Sequence, residues 1–385
     1  MPALLRPRIV AVFCLLLSAL CLAPVGAVAS ALIPPPPAIA AKGYIVMDPN
    51  SGVVVAAVND TQRLEPASLT KLMTAYVVFD ALRAGKLKLD QMLTISPAAW
   101  KQEGSRMFVE PGMQVRVEDL VKGMVIQSGN DAAVALAEAV AGSEQSFAEL
   151  MNLHAQRLGM KASHWENATG LPSAQHYTTA HDLATLASAV IREFPQHYRY
   201  YSMREFTFNG ITQQNRNGLL GRDASVDGIK TGHTDSAGYC LATSAQRQGM
   251  RLVTVVLGTE SPRAREDASE ALLNWGFSFF ESRKVYAAGQ AVRMAEVFKS
   301  GEQVGFGVRR DLWVTVPRGD YARVKVTVAL QPRLIAPLSA TQAVGRITAT
   351  LDGQPVGQAT LHAVRPVPAG NFLRRGWDSL RLLWN

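Results

Sequence analysis

A serine stands at the mouth of a helical stretch, with a lysine one turn further in: Pro66-Ala67-Ser68-Leu69-Thr70-Lys71. Leu69 to Ala84 contains few helix breakers, and Gly85 follows as a C-cap. Residues i and i+3 share one helix face, so this pattern lets Ser68 and Lys71 touch. A serine hydroxyl is a poor nucleophile until a base takes its proton. A lysine amine serves as that base when burial or neighbouring cations lower its pKa. The unpaired N–H groups at a helix start favour a developing oxyanion. Taken alone, Ser-x-x-Lys far more often marks a helix N-cap followed by an exposed lysine, so other stretches must decide.

A secretory signal occupies residues 1–29. Arg6 and Arg8 make a basic start, Ile9 to Leu22 an apolar run, and Ala27-Val28-Ala29 a small-x-small cleavage site, so the exported chain begins near Ser30. The apolar run is short for a membrane span. Cys14 and Cys21 leave with the signal, and one thiol is no disulfide scaffold; Cys240, in Gly238-Tyr239-Cys240-Leu241-Ala242, reads as a buried structural residue. The formal charge is +8, falling to about +6 without Arg6 and Arg8, which suits anionic membranes and wall polymers. Nucleic acid is not expected behind a secretion signal.

A Pro-rich linker fills residues 30–41. Tyr44–Met47 and Val53–Ala57 flank the turn Asp48-Pro49-Asn50-Ser51-Gly52 as a hairpin. Further on, Gln127-Ser128-Gly129-Asn130-Asp131 joins two helical runs in a sharp turn that projects two polar side chains. Thr179 caps a helix over Ala180–Glu193. His154, His176, His181 and His197 lack metal-ligand spacing and read as surface or packing residues; no metal and no cofactor are expected. Asp227-Gly228-Ile229-Lys230-Thr231-Gly232-His233-Thr234 precedes two apolar strands, Gly238–Ala245 and Arg251–Leu257. The glycine there permits close approach of a ligand to the backbone. Arg263–Trp275 is helical. From about residue 282 to 368 short β-rich runs take over, among them Leu312–Val316, Val324–Val328 and Gly345–Leu351.

Ser68-x-x-Lys71, Ser128-Gly129-Asn130 and Lys230-Thr231-Gly232 follow one another in the order found in β-lactamases and penicillin-binding proteins. With Pro-Ala-Ser-Leu-Thr-Lys and Asp-Gly-Ile-Lys-Thr-Gly-His-Thr in full, the chain resembles the low-molecular-mass penicillin-binding proteins of the 5/6 type, the serine D-alanyl-D-alanine carboxypeptidases. Phe206–Ile211, Asn215–Leu220 and Asn274–Phe277 carry the likeness further. Relatives often have His-Gly where this chain has Thr169-Gly170.

The resemblance implies an α+β fold: a penicillin-recognising serine transferase/β-lactamase-like catalytic domain over residues 42–281, with an antiparallel sheet flanked by helices, and a small all-β, sandwich-like domain over 282–368. It implies that Ser68 attacks the carbonyl between the last two D-alanines of a peptidoglycan stem peptide, with Lys71 as base. Ser128 relays the proton to the leaving amine, Asn130 holds the substrate amide, and Lys230 keeps the site positive and lowers the pKa of Lys71. Thr231 and Arg265 bind the terminal carboxylate. The N–H groups of Ser68 and His233 form the oxyanion hole. β-Lactam antibiotics are implied as covalent inhibitors. Two other functions compete. A class A β-lactamase would need a loop glutamate, but Glu166 lacks the following Leu-Asn; a wall-binding protein without turnover would not need the motifs intact.

In the tail, residues 370–385, Leu373, Trp377, Leu380 and Trp384 make one helical stripe, widened by Phe372 and Leu383. Arg374, Arg375, Asp378 and Arg381 lie opposite. This pattern suits a helix lying in a membrane surface, too short to span it. Pro368 and Gly370 suggest a flexible joint. The expected location is the periplasmic face of the inner membrane, as a peripheral protein; packing of the stripe onto the β-domain is the competing outcome.

Overall fold

The computed structural model describes residues 33–384, so the expected signal peptide lies outside the described residues. A five-stranded antiparallel sheet runs in the order Val54–Val58, Gly43–Met47, Met250–Thr259, Gly238–Arg247, Val226–Thr234. Side chains alternate across a strand, and both faces of this sheet are covered. Tyr44 and Val46 pack with Ala268, Leu272 and Trp275 of the helix Pro262–Phe279. Ile45 and Met47 face the larger helical layer, with Leu72, Val78, Leu136 and Val190. Burial on both faces explains why the inner strands read as continuous apolar runs.

At the centre of that layer lies Lys71–Arg83, in which every residue from Lys71 to Phe79 is buried. It is preceded by a tight 3-10 turn, Ala67–Thr70. Gly85 takes φ +71 just past its C-cap Ala84, as a helix-terminating glycine does. Residues 33–41 carry no regular structure, but they are not a free linker: Ile33, Ile39 and Ala41 pack on the second core, and Trp275 Nε1 donates to Pro34 O at 3.1 Å.

The strand Phe280–Tyr286 follows the last catalytic-domain helix directly and pairs with Leu312–Pro317. A second five-stranded sheet completes the small domain, in the order Ala291–Val297, Glu302–Gly307, Gln354–Ala363, Gly345–Leu351, Lys325–Leu330. Its turn Asp352-Gly353 has φ of +50 and +84, the left-handed pair of a tight hairpin. The domains are tied at the N-terminal hairpin turn, where the buried Asp48 Oδ2 accepts from Thr315 Oγ1 at 2.7 Å.

The tail is helical over Phe372–Trp384. Its apolar residues do not form core: Phe372, Leu373, Trp377 and Leu380 are 72, 67, 62 and 57% exposed. The side chains of Leu383 and Trp384 lie outside the description. No described helix is long and apolar enough to cross a membrane. The expected flexible joint is instead bonded, Gly370 N donating to Lys299 O at 2.6 Å.

Candidate active site

Ser68 sits in the 3-10 turn, after an Ala67 held at φ +48, a left-handed conformation that costs an L-residue about 1–2 kcal/mol. Neighbours hold it there. Thr70 Oγ1 donates to Ala67 O at 2.9 Å and itself accepts from His176 Nε2 at 2.8 Å. His176 Nδ1 accepts from Glu166 N at 3.1 Å, which assigns the neutral tautomer. Burial pushes the His176 pKa down to about 4, so it stays neutral. Gly170 closes the other side. With φ +83, a Cβ there would lie 1.8 Å from Ala67 O, so only glycine lets this loop touch the turn.

Lys71 Nζ lies 3.1 Å from Ser68 Oγ, 2.6 Å from Asn130 Oδ1 and 2.6 Å from Thr169 O. All three are acceptors for an amine and fix its aim. Burial, and next the Arg216 charge, lower the Lys71 pKa to about 7, against the partial opposition of Asp131 and Glu144. Arg216 is thus a further cation acting on Lys71, besides Lys230, whose own charge and that of Lys71 disfavour each other. Lys230 is fully buried and is itself pushed well below the ordinary lysine value, first by burial and then by Lys71, Arg216 and Arg265.

A π-turn, Gly123–Gln127, ends in Ser128 at φ +70. That left-handed residue turns the chain sharply into the helix Asn130–Ala141 and aims Ser128 and Asn130 at Ser68's side of the molecule. Ser128 Oγ is buried without a protein partner. Asn130 Nδ2 donates to Glu103 O at 2.5 Å. Beside it the buried Asp131 accepts from the N–H groups of Met107, Phe108, Val109 and Ala132 at 2.9–3.4 Å. Asp131 thereby pins the irregular segment that brings Gly104 and Ser105 to the site.

Thr231 lies on the sheet's edge strand, alongside the Ser68 turn. Gly232 makes that contact possible: a Cβ would lie 2.9 Å from Pro66 O and 3.2 Å from Ser68 N. Arg265 enters from the first turn of Pro262–Phe279, capped by Ser261. It is buried rather than on the exposed helix face, and its Nη1 donates to Gly232 O at 3.1 Å. The neighbouring Glu266 points elsewhere, toward Gly218 and Arg222. Tyr239 stacks on His233 with centroids 3.9 Å apart and lies 5.7 Å from the Arg265 guanidinium carbon.

Ser68, Ser128, Asn130, Thr231, His233 and Arg265 line one cavity of about 480 Å³. Lys71 and Lys230 lie behind its wall. Arg216 and Arg265 line it, while no carboxylate does, so the cavity suits an anion. The motif pattern points to Lys230 as the source of that charge; the two wall cations are arginines. Sequence reasoning missed Arg216, Asp131, Gly170, Tyr239 and the structural part of His176. Asp131 was signalled by following Ser128-Gly129-Asn130, and Gly170 and Arg216 lay in stretches that resemble the family, without a role attached to them. Glu166 is exposed and occupied by Ser173 and Gln175, away from the cavity lining.

The family profile described as D-alanyl-D-alanine carboxypeptidase matches residues 30–261, and the penicillin-binding protein 5 C-terminal domain profile matches residues 280–369. The chain is 42% identical over 363 residues to the D-alanyl-D-alanine carboxypeptidase DacA of Escherichia coli K12, covering 92% of this chain and 90% of that protein. It is similar to the crystal structure of penicillin-binding protein 5 from Haemophilus influenzae, with TM-score 0.79 and 41% identity, covering 86% of this chain and 99% of that one. Penicillin-binding protein 6B of Escherichia coli gives TM-score 0.70 at 35% identity, covering 86% of this chain and 97% of that one.

Proposed function

The chain belongs to the D-alanyl-D-alanine carboxypeptidase family, and we propose that it removes the terminal D-alanine from peptidoglycan pentapeptide stems through an acyl-enzyme on Ser68. The observation that carries the mechanism is the buried Lys71 amine, 3.1 Å from Ser68 Oγ with its pKa lowered to about 7. Neutral Lys71 takes the hydroxyl proton as Ser68 Oγ attacks the carbonyl carbon of the last peptide bond. The oxyanion is received by the N–H groups of Ser68 and His233. The C–N bond breaks as the proton passes from Lys71 through Ser128 to the leaving nitrogen, and D-alanine departs. Water then attacks the ester, Lys71 takes its proton, and Ser68 leaves with that proton restored. Asn130 holds Lys71 and the substrate amide. Arg265 and Thr231 receive the terminal carboxylate, in a cavity that already favours an anion. A β-lactam acylates Ser68 in the same way, but its leaving nitrogen stays tethered to the acyl group, so the enzyme is inhibited. Wild-type protein should release D-alanine from a pentapeptide and Ser68→Ala should not; equal release by both would overturn the reading.

Residues 1–29 direct export, and the tail holds the enzyme on the periplasmic face of the inner membrane, with the β-domain as pedestal. The exposed stripe supports this. Burying Phe372, Leu373, Trp377 and Leu380 in the interface contributes roughly 1.5–3 kcal/mol each at full burial. Deleting residues from Asn371 onward should release active enzyme into the soluble fraction; undiminished sedimentation with membranes would place the anchor elsewhere.

A further inference from the structure

An amphipathic helix on a folded domain usually turns its apolar face inward. Here the charged face is turned inward. Asp378 is fully buried, and its Oδ2 accepts from Lys299 N at 2.7 Å and from Arg374 Nε at 3.1 Å. Arg374 and Arg381 also reach Glu296, at 3.2 and 2.9 Å, and the Arg381 guanidinium carbon sits 5.3 Å over the Phe298 ring. The receiving turn is shaped for this. Lys299 has φ +65, and a Cβ on Gly301 would lie 3.2 Å from Arg374 Nε.

We propose that the tail is a rigid foot rather than a flexible tether: Asp378, Arg374 and Arg381 latch it to the Glu296–Gly301 turn, so the lipid surface that accepts its apolar face is held at a fixed angle to the β-domain. The lipid half of this proposal rests on the membrane reading above; the latch does not. Glu296 and Asp378 neutralise Arg374 and Arg381 within the protein, leaving Arg375 as the exposed arginine of the helix. Membrane binding is therefore driven by apolar insertion and depends little on lipid charge.

The test places spin labels on Arg375→Cys and on the exposed Gln354→Cys in the exported chain, where Cys240 is buried and escapes labelling. Distance distributions are measured free and on vesicles. The wild-type background should give one narrow distribution in both states, and Asp378→Ala a broad one. Asp378→Leu, similar in size but without either acceptor oxygen, repeats the test if Asp378→Ala fails to fold. A broad wild-type distribution, or an equally narrow one in the Asp378 variants, overturns the latch. Co-sedimentation of the unlabelled protein with phosphatidylcholine vesicles, with and without phosphatidylglycerol, tests the lipid half. One free arginine predicts about fivefold tighter binding to the anionic vesicles, whereas three lipid-facing arginines predict on the order of a hundredfold. The larger figure overturns the proposal. Trp377→Ser/Leu380→Ser should abolish sedimentation; if it does not, the membrane reading fails while the distance measurement still decides the latch.

Discussion

Acylation of Ser68 should follow the ionisation of Lys71, and pH is the perturbation that separates it from an ordinary lysine. With a pKa of about 7, roughly one Lys71 in ten is a neutral amine at pH 6, about half at pH 7 and about nine in ten at pH 8. A lysine at the ordinary value of 10.5 would be neutral in fewer than about one molecule in a thousand at pH 7. The acylation rate, measured by stopped flow with a chromogenic β-lactam, should rise nearly tenfold per pH unit below 7 and flatten above 8. Arg216→Gln removes a cation that depresses Lys71, so its midpoint should move alkaline. Stability gives an independent check. Because the folded pKa is below the unfolded one, burial of Lys71 costs roughly 5 kcal/mol, fully felt below pH 7 and relieved as pH rises toward 10.5. Stability of Lys71→Met relative to wild type in urea should therefore fall from pH 6 to pH 10. A flat acylation profile between pH 6 and 9, or a midpoint near 10, would refute Lys71 as the base.

Arg265→Ala should lower kcat/KM on the order of a hundredfold for a substrate ending in a free carboxylate and far less for its amide; equal losses would make Arg265 structural. Glu166→Gln should leave hydrolysis of the penicilloyl-enzyme within about twofold of wild type, since Glu166 faces solvent and not the cavity; a large loss would revive the β-lactamase reading. Asp131→Ala strands backbone N–H groups of residues 107–109 and should cost about 3–5 kcal/mol in urea unfolding, with acylation lost alongside. A cost below about 1 kcal/mol would show that the segment holds itself.

What was legible in the sequence was what is local. The hairpin around Asp48–Gly52, the helix after Ser68 and the strands Gly238–Ala245 and Arg251–Leu257 all follow from short-range period and turn chemistry. The three motifs specify side chains that one cavity brings together, because their order matches a known arrangement. What escaped depends on partners far along the chain. Nothing near Arg216 says that its charge acts on Lys71. Nothing near Gly170 says that Ala67 O will press against it. The tail is the clearest case: its periodicity shows two faces, but not which one turns to the protein. Glu296 and the Lys299 amide decide that, from a turn some eighty residues upstream.

The most direct measurement is intact-protein mass spectrometry after brief exposure to penicillin, followed by peptide mapping. One penicilloyl group per chain, on the peptide containing Ser68 and absent in Ser68→Ala, is the expected result. A modification on another residue, or undiminished labelling of Ser68→Ala, would contradict Ser68 as the nucleophile.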